Sequence, residues 1–310
     1  MRNPLMDNSF LSPPSVAVPS AAPALPRLAR VRQWELGELI AAGRLTRVYR
    51  ARPVGTPSDH PFGYAIKMLR PRWHDDPRAL GLLRREAAVG RTVSHPHVVS
   101  VLAASVQRAP YYVVMPWLRG RPLKARLTAD HFLPLHEALW VARQITLGLD
   151  ALHQAGWMHG DVKPENVFVA PEGHVTLLDL GFARRTPETG SIVDRCVMGT
   201  WTYIAPEMIS SALRADIRSD LYSLGVLLYE MLSGRPPFPQ TEPAELAAAH
   251  RHTAPQPLRE LVPGLPLDVA QLVHRLLAKD PLRRPQTPGE VLDRLVGLEV
   301  EAFTAWVAEG

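Results

Sequence analysis

A single cysteine, Cys196, stands in a chain of 310 residues. That excludes an intrachain disulfide and a zinc cluster built from thiolates, and it suits a reducing, cytoplasmic setting. No apolar run approaches the roughly 20 residues needed to cross a bilayer, so no membrane span is expected. Prolines after Arg2 break up any signal-peptide core. Blocks of like charge are also missing. The net charge of +5 is scattered along the chain, and neither nucleic acid nor a membrane surface is expected as a partner. The 12 histidines include no pair at metal-ligand spacing with cysteine or carboxylate neighbours. Internal repeats are absent too.

What remains is an ordinary globular composition, 46% apolar and 21% charged, with a sharp change of character along its length. Residues 1–31 are rich in Pro, Ala and Ser and read as a disordered leader. From Trp34 short β-like runs follow: Glu35 to Ala41, Thr46 to Ala51, Gly63 to Leu69, Val98 to Val106 and Tyr111 to Trp117. One helical stretch, Ala79 to Val93, lies among them. After Pro122 helices dominate, at Leu135 to Ala155, Ser219 to Ser233, Asp268 to Ala278 and Pro288 to Leu298. Two short β runs, Val167 to Ala170 and Val175 to Leu178, flank a Pro-Glu-Gly turn. The expectation is an α+β fold in two lobes. A β-rich N-lobe over about 32–116 is followed by a helical C-lobe over about 117–296, with a hinge near 116–122 and a tail or helix end at 297–310.

Four places carry candidate chemistry for phosphoryl transfer, which asks for positioning and for neutralisation of phosphate charge. In Asp161 to Asn166, a carboxylate and an amide five residues apart can serve a substrate hydroxyl and a metal, with Lys163 between them. The alternative there is a polar loop with Asp161 as a turn former. Asp179-Leu180-Gly181 ends an apolar strand and could supply a metal ligand, although Asp-x-Gly also occurs in many turns. Lys67 closes a β-like run and either faces solvent or is held for phosphate by Glu86 on the next helix. The stretch from Ile40 to Tyr49 is a hairpin with Gly43 as its one glycine, poor as a phosphate loop.

The order of these motifs resembles that of the eukaryotic-like (Hanks-type) serine/threonine protein kinases, bacterial members included. The resemblance adds Gly199-Thr200-Trp201-Thr202-Tyr203-Ile204-Ala205-Pro206-Glu207, Asp220-Leu221-Tyr222-Ser223-Leu224-Gly225 and Lys279-Asp280-Pro281-Leu282-Arg283-Arg284-Pro285, and it spans roughly residues 34–296. It implies ATP and Mg2+ as cofactors and proteins bearing Ser or Thr as substrates. By the same resemblance Asp161 is the catalytic base, Lys163 neutralises the γ-phosphate, and Asn166 and Asp179 hold metal. Lys67, paired with Glu86, contacts the α- and β-phosphates. Ile40, Gly43, Val48, Ala65, Met115, Pro116, Leu118 and Phe168 line the nucleotide site. Asp220 buttresses the catalytic loop, and Glu207 pairs with Arg284.

Departures from the family pattern set further expectations. The family's three loop glycines fall at Ala41, Gly43 and Thr46, and a required φ > 0 at a replaced position would cost about 1–2 kcal/mol. Gly90 replaces a bulky apolar residue and is expected to leave a gap beside the helix of Glu86. Gly160 replaces a common arginine, so activation-segment phosphorylation is not expected to be needed, although Thr186, Thr189 and Ser191 are candidate sites. A pseudokinase scaffold and a small-molecule kinase are the rival readings. Intact Lys67, Glu86, Asp161, Asn166 and Asp179 oppose the first. Lys163-Pro164, Ala205-Pro206-Glu207 and Arg284 oppose the second.

Overall fold

Six short strands between residues 29 and 116 build an antiparallel sheet. The computed structural model describes residues 29–57, 59–185, 201–209 and 215–309. The strands are β1 (Ala29–Val31), β2 (Trp34–Ala42), β3 (Thr46–Pro53), β4 (Tyr64–Leu69), β5 (Ala103–Ser105) and β6 (Tyr112–Pro116), in the order β1-β2-β3-β4-β6-β5. Residues 29–31, which composition assigned to the leader, pair instead with Trp34 to Leu36 as an edge strand. The expected strand Val98 to Val106 is reduced to β5. Its apolar first half is buried because it wedges between lobes: Val99 N–H donates to Leu177 O (2.9 Å) and Val101 N–H to Gly90 O (2.8 Å).

Across the sheet lies α1 (Pro77–Thr92), begun by Pro77 and by the Asp76 carboxylate, which accepts from the amides of Arg78 and Ala79. Leu80, Leu83, Glu86, Ala87 and Gly90 share its buried face. That spacing carries Glu86 onto the same side as the core residues, towards β4.

The helical lobe begins with β7 (Arg121–Pro122) and α2 (Leu123–Asp130), then α3 (Leu135–Gln154), β8 (Trp157–Met158), β9 (Val167–Val169), β10 (Val175–Leu177) and β11 (Arg184–Arg185). Antiparallel β9 and β10 form a hairpin, joined by β7. Then come α4 (Pro206–Ile209), α5 (Ile217–Ser233), α6 (Pro243–His252), α7 (Leu258–Leu261), α8 (Leu267–Leu276) and α9 (Pro288–Glu309). Nearly every side of α5 is buried, as its all-round apolar sequence requires. The main core runs from the underside of the N-lobe sheet through α3 and α5 to α9. Helix α9 continues to Glu309, beyond the domain end expected at 296. No described helix is long and apolar enough to cross a membrane.

Candidate active site

The loop that carries Asp161 connects β8 to β9, and its shape is set from below by α5. Both oxygens of Asp220, a residue only 1% exposed, accept backbone amides: His159 N–H at 2.6 Å and Gly160 N–H at 2.8 Å. Burying a carboxylate is tolerable only with such direct partners. The imidazole of His159 is buried, with Nδ1 accepting from Asp161 N–H (3.2 Å), which leaves Nε2–H to donate to Leu178 O (3.0 Å). Gly160 has φ 79°, a conformation in which a Cβ would be strained.

These constraints present Asp161 at the end of the loop. Its Oδ2 accepts from Asn166 Nδ2 (2.8 Å) and from Lys163 Nζ (2.7 Å). Asn166 Nδ2 also donates to Asp161 O (2.9 Å). The amide oxygen of Asn166 therefore faces away from the carboxylate, and Asp161 Oδ1 is the oxygen not used in these contacts.

Facing this loop, Lys67 on β4 bridges the lobes. Its Nζ lies 2.9 Å from Glu86 Oε2 and 2.9 Å from Asp179 Oδ1. Burial alone would depress the Lys67 ammonium, but the Asp179 and Glu86 carboxylates outweigh it and hold the pKa above the usual lysine value. Asp179 is the reverse case. Burial would raise it, yet Lys67, helped by Lys163 and the Gly181 amide, keeps it below the usual carboxylate range. Burial pushes Glu86 up to about 7 despite Lys67. Asp179 adopts φ 60° and ψ 73°, a left-handed conformation uncommon for a residue with a Cβ. Such strain at a carboxylate in a cleft is a mark of a functional position.

Gly43, Lys67, Glu86, Asp161, Lys163 and Asp179 line one cavity of about 220 Å³ beneath the β2–β3 turn. Asn166 joins them through its bonds to Asp161. On the other side of the cleft, Val48 pairs with Lys67 and Ala65 with Met115 in adjacent strands, and Pro116 ends β6 opposite Tyr64. Ile40 is exposed on β2, Leu118 is half-buried just past β6, and Phe168 lies half-buried on β9. Hard oxygen donors on Asn166 and Asp179 suit a magnesium ion.

One expectation is corrected, and the condition set for another is not met. Gly90 leaves no gap: a Cβ there would lie 2.5 Å from Val101 Cγ2, so the valine occupies the space. The thinned loop is not strained either. Among the described residues, φ > 0 outside glycine occurs only at Arg32, His131 and Asp179, and Gly43 itself is not in that region. Glu207 meets the buried Arg284 through two contacts, at 2.6 and 2.8 Å. Gly199, Thr200, Thr186, Thr189 and Ser191 lie outside the described residues. Sequence reasoning missed Arg70, Arg72 and Trp73, whose donors reach the turn above the cavity; only a tryptophan and two arginines next to Pro71 could have signalled them.

The class is set by most of the chain. Residues 34–294 match the protein kinase domain, and the chain belongs to the protein kinase family. Among its relatives is the serine/threonine-protein kinase PknB of Mycobacterium leprae, 32% identical over 269 residues, covering 85% of this chain and 42% of that protein. PknB of Mycobacterium tuberculosis is 33% identical over 270 residues, 85% of this chain and 42% of that protein. The serine/threonine-protein kinase PrkC of Bacillus subtilis is 30% identical over 255 residues, 82% of this chain and 39% of that protein. The chain thus spans about two fifths of the length of these curated relatives.

Proposed function

We propose that this chain is an ATP-dependent serine/threonine protein kinase acting in the reducing cytoplasm. The observation that carries the reading is one cavity in which Asp161, held by Asn166 and Lys163, faces Lys67, held by Glu86 and Asp179.

Asp161 Oδ1 accepts the proton of the incoming Ser or Thr hydroxyl while Oδ2 stays bound to Asn166, which fixes the carboxylate's direction. Lys163 moves between Asp161 and the phosphate charge, a short swing for its ammonium. Lys67 positions the α- and β-phosphates, and Glu86 prevents its withdrawal towards Asp179 alone. Asn166 and Asp179 hold Mg2+, which when bound neutralises charge on the phosphates. Val48 and Ala65 above and Phe168 below enclose adenine, with Ile40, Met115, Pro116 and Leu118 at the inner edge and hinge. Gly160 has no cation to offer a phosphorylated activation segment. With Asp220 already fixing the loop, the base is set without one.

Radiolabelled ATP with Mg2+ and a generic Ser/Thr protein acceptor tests the reading. The wild type incorporates label. Asp161→Ala lowers kcat by about 10²- to 10⁴-fold while retaining its nucleotide-dependent thermal shift. Equal incorporation by Asp161→Ala, or none by the wild type, overturns it in favour of a nucleotide-binding scaffold.

A further inference from the structure

The β2–β3 turn has lost two glycines, yet its backbone is held from outside. Three successive carbonyls of the turn are each occupied by a donor from the connector between β4 and α1. Arg70 Nη1 donates to Gly43 O (3.1 Å), and the Arg70 amide donates to Leu45 O (2.8 Å). Arg44 O accepts twice, from Arg72 Nη2 (2.9 Å) and Trp73 Nε1 (3.0 Å). We propose that Arg72 and Trp73, with Arg70, are positioning residues for the nucleotide phosphates, fixing the loop that covers the cavity. The proposal rests on the kinase reading above.

The connector is itself stiff. Pro71 begins a 3₁₀ turn in which Trp73 N–H donates to Arg70 O (2.9 Å) and His74 N–H to Pro71 O (3.1 Å). Asp76 then caps α1, the helix that carries Glu86. The Trp73 ring lies 5.6 Å from the guanidinium of Arg44 and 5.5 Å from that of Arg72, which orients the indole N–H. Turn and helix therefore share one rigid base.

Peptide planarity gives the bonds their consequence. In a trans peptide the N–H points opposite to the preceding C=O. Holding the carbonyls of Gly43 and Arg44 against the connector turns the amides of Arg44 and Leu45 away from it. Successive amides directed to one side form an anion-binding array. In a loop rich in glycine this arrangement is reached by flexibility; here it is fixed before nucleotide arrives, which lowers the ordering cost of binding. The side-chain donors of Arg72 and Trp73 both reach Arg44 O, so their effect on the phosphates is transmitted through the loop backbone.

The test uses the full chain with Arg72→Ala, Trp73→Phe, their double variant and Arg72→Lys. Trp73→Phe retains the ring and removes the donor. Affinities for ATP, ADP and adenosine are measured by calorimetry, and KM for ATP and kcat by phosphate incorporation. The double variant is expected to bind ATP and ADP about tenfold more weakly and to raise KM similarly, with adenosine affinity and saturated kcat within about twofold. Arg72→Lys recovers part of the loss. Unchanged ATP affinity, or an equal loss for adenosine, overturns the proposal, the latter indicating general loosening of the lobe. A wild type that binds ATP without transferring phosphate overturns only the kinase reading.

Discussion

A methyl group added at Gly90 would lie 2.5 Å from Val101 Cγ2, closer than non-bonded carbons approach, and a tight 3.1 Å from Val101 Cβ. The two residues are also joined by the Val101 N–H to Gly90 O bond of 2.8 Å. Val101 is 4% exposed and has little room to move. Restoring bulk at this position therefore disturbs α1, the helix whose Glu86 holds Lys67. Gly90→Ala is expected to lower stability by about 1–3 kcal/mol in urea unfolding. Val101→Ala in the same chain should recover part of that loss, a coupling that a double-mutant cycle reads directly. If Gly90→Ala is neutral, the valine does not fill the site.

Elements differ in how plainly their residues announced them. Helix α3 shows apolar residues at helical spacing over its whole length, and α5 is apolar on every side; both were legible. The frame of the candidate site was legible for another reason: Lys67, Glu86, Asp161, Asn166 and Asp179 stand out by residue type and order, and the fold brings all five together. Helix α6 was missed, because Pro243 to His252 is short, with four alanines among its 10 residues and little periodic contrast. Its place is decided by tertiary contact. His250 is fully buried, its Nδ1 lies 2.9 Å from the Tyr222 hydroxyl on α5, and its ring meets Phe238 edge-on at 4.8 Å. The connector donors to the β2–β3 turn were likewise invisible, since side-chain hydrogen bonds from Arg70, Arg72 and Trp73 to carbonyls 27–29 residues away leave no local pattern.

That docking makes α6 sensitive to acid. Burial, with the nearby Lys279 ammonium, lowers the His250 pKa from 6.5 to about 4. A depressed histidine contributes stability that is present above the unfolded pKa and lost as pH falls towards the folded one. Denaturant titrations should show the wild type losing about 3 kcal/mol more than His250→Gln between pH 7 and pH 4. Parallel pH profiles for the two proteins would contradict the assignment.

Over the whole molecule, the site depends on bonds between lobes. Lys67 on the sheet reaches Asp179 beyond β10, and the Val99 amide carries a buried backbone bond to Leu177 O across the same boundary. The lower lobe fixes its half independently, through α5. The amides of His159 and Gly160 lie in a loop, but their acceptor is a carboxylate inside the most buried helix. To expose those amides to solvent, α5 must part from the loop, which dismantles the main core. In hydrogen–deuterium exchange they should therefore retain protium as long as the centre of α5, at the global unfolding free energy. Loss of label protection there before α5 opens would mean that the loop frays alone. If the protection holds, the amides of His159 and Gly160 act as a clock: the time at which they take up deuterium is the time at which a molecule last lost its fold.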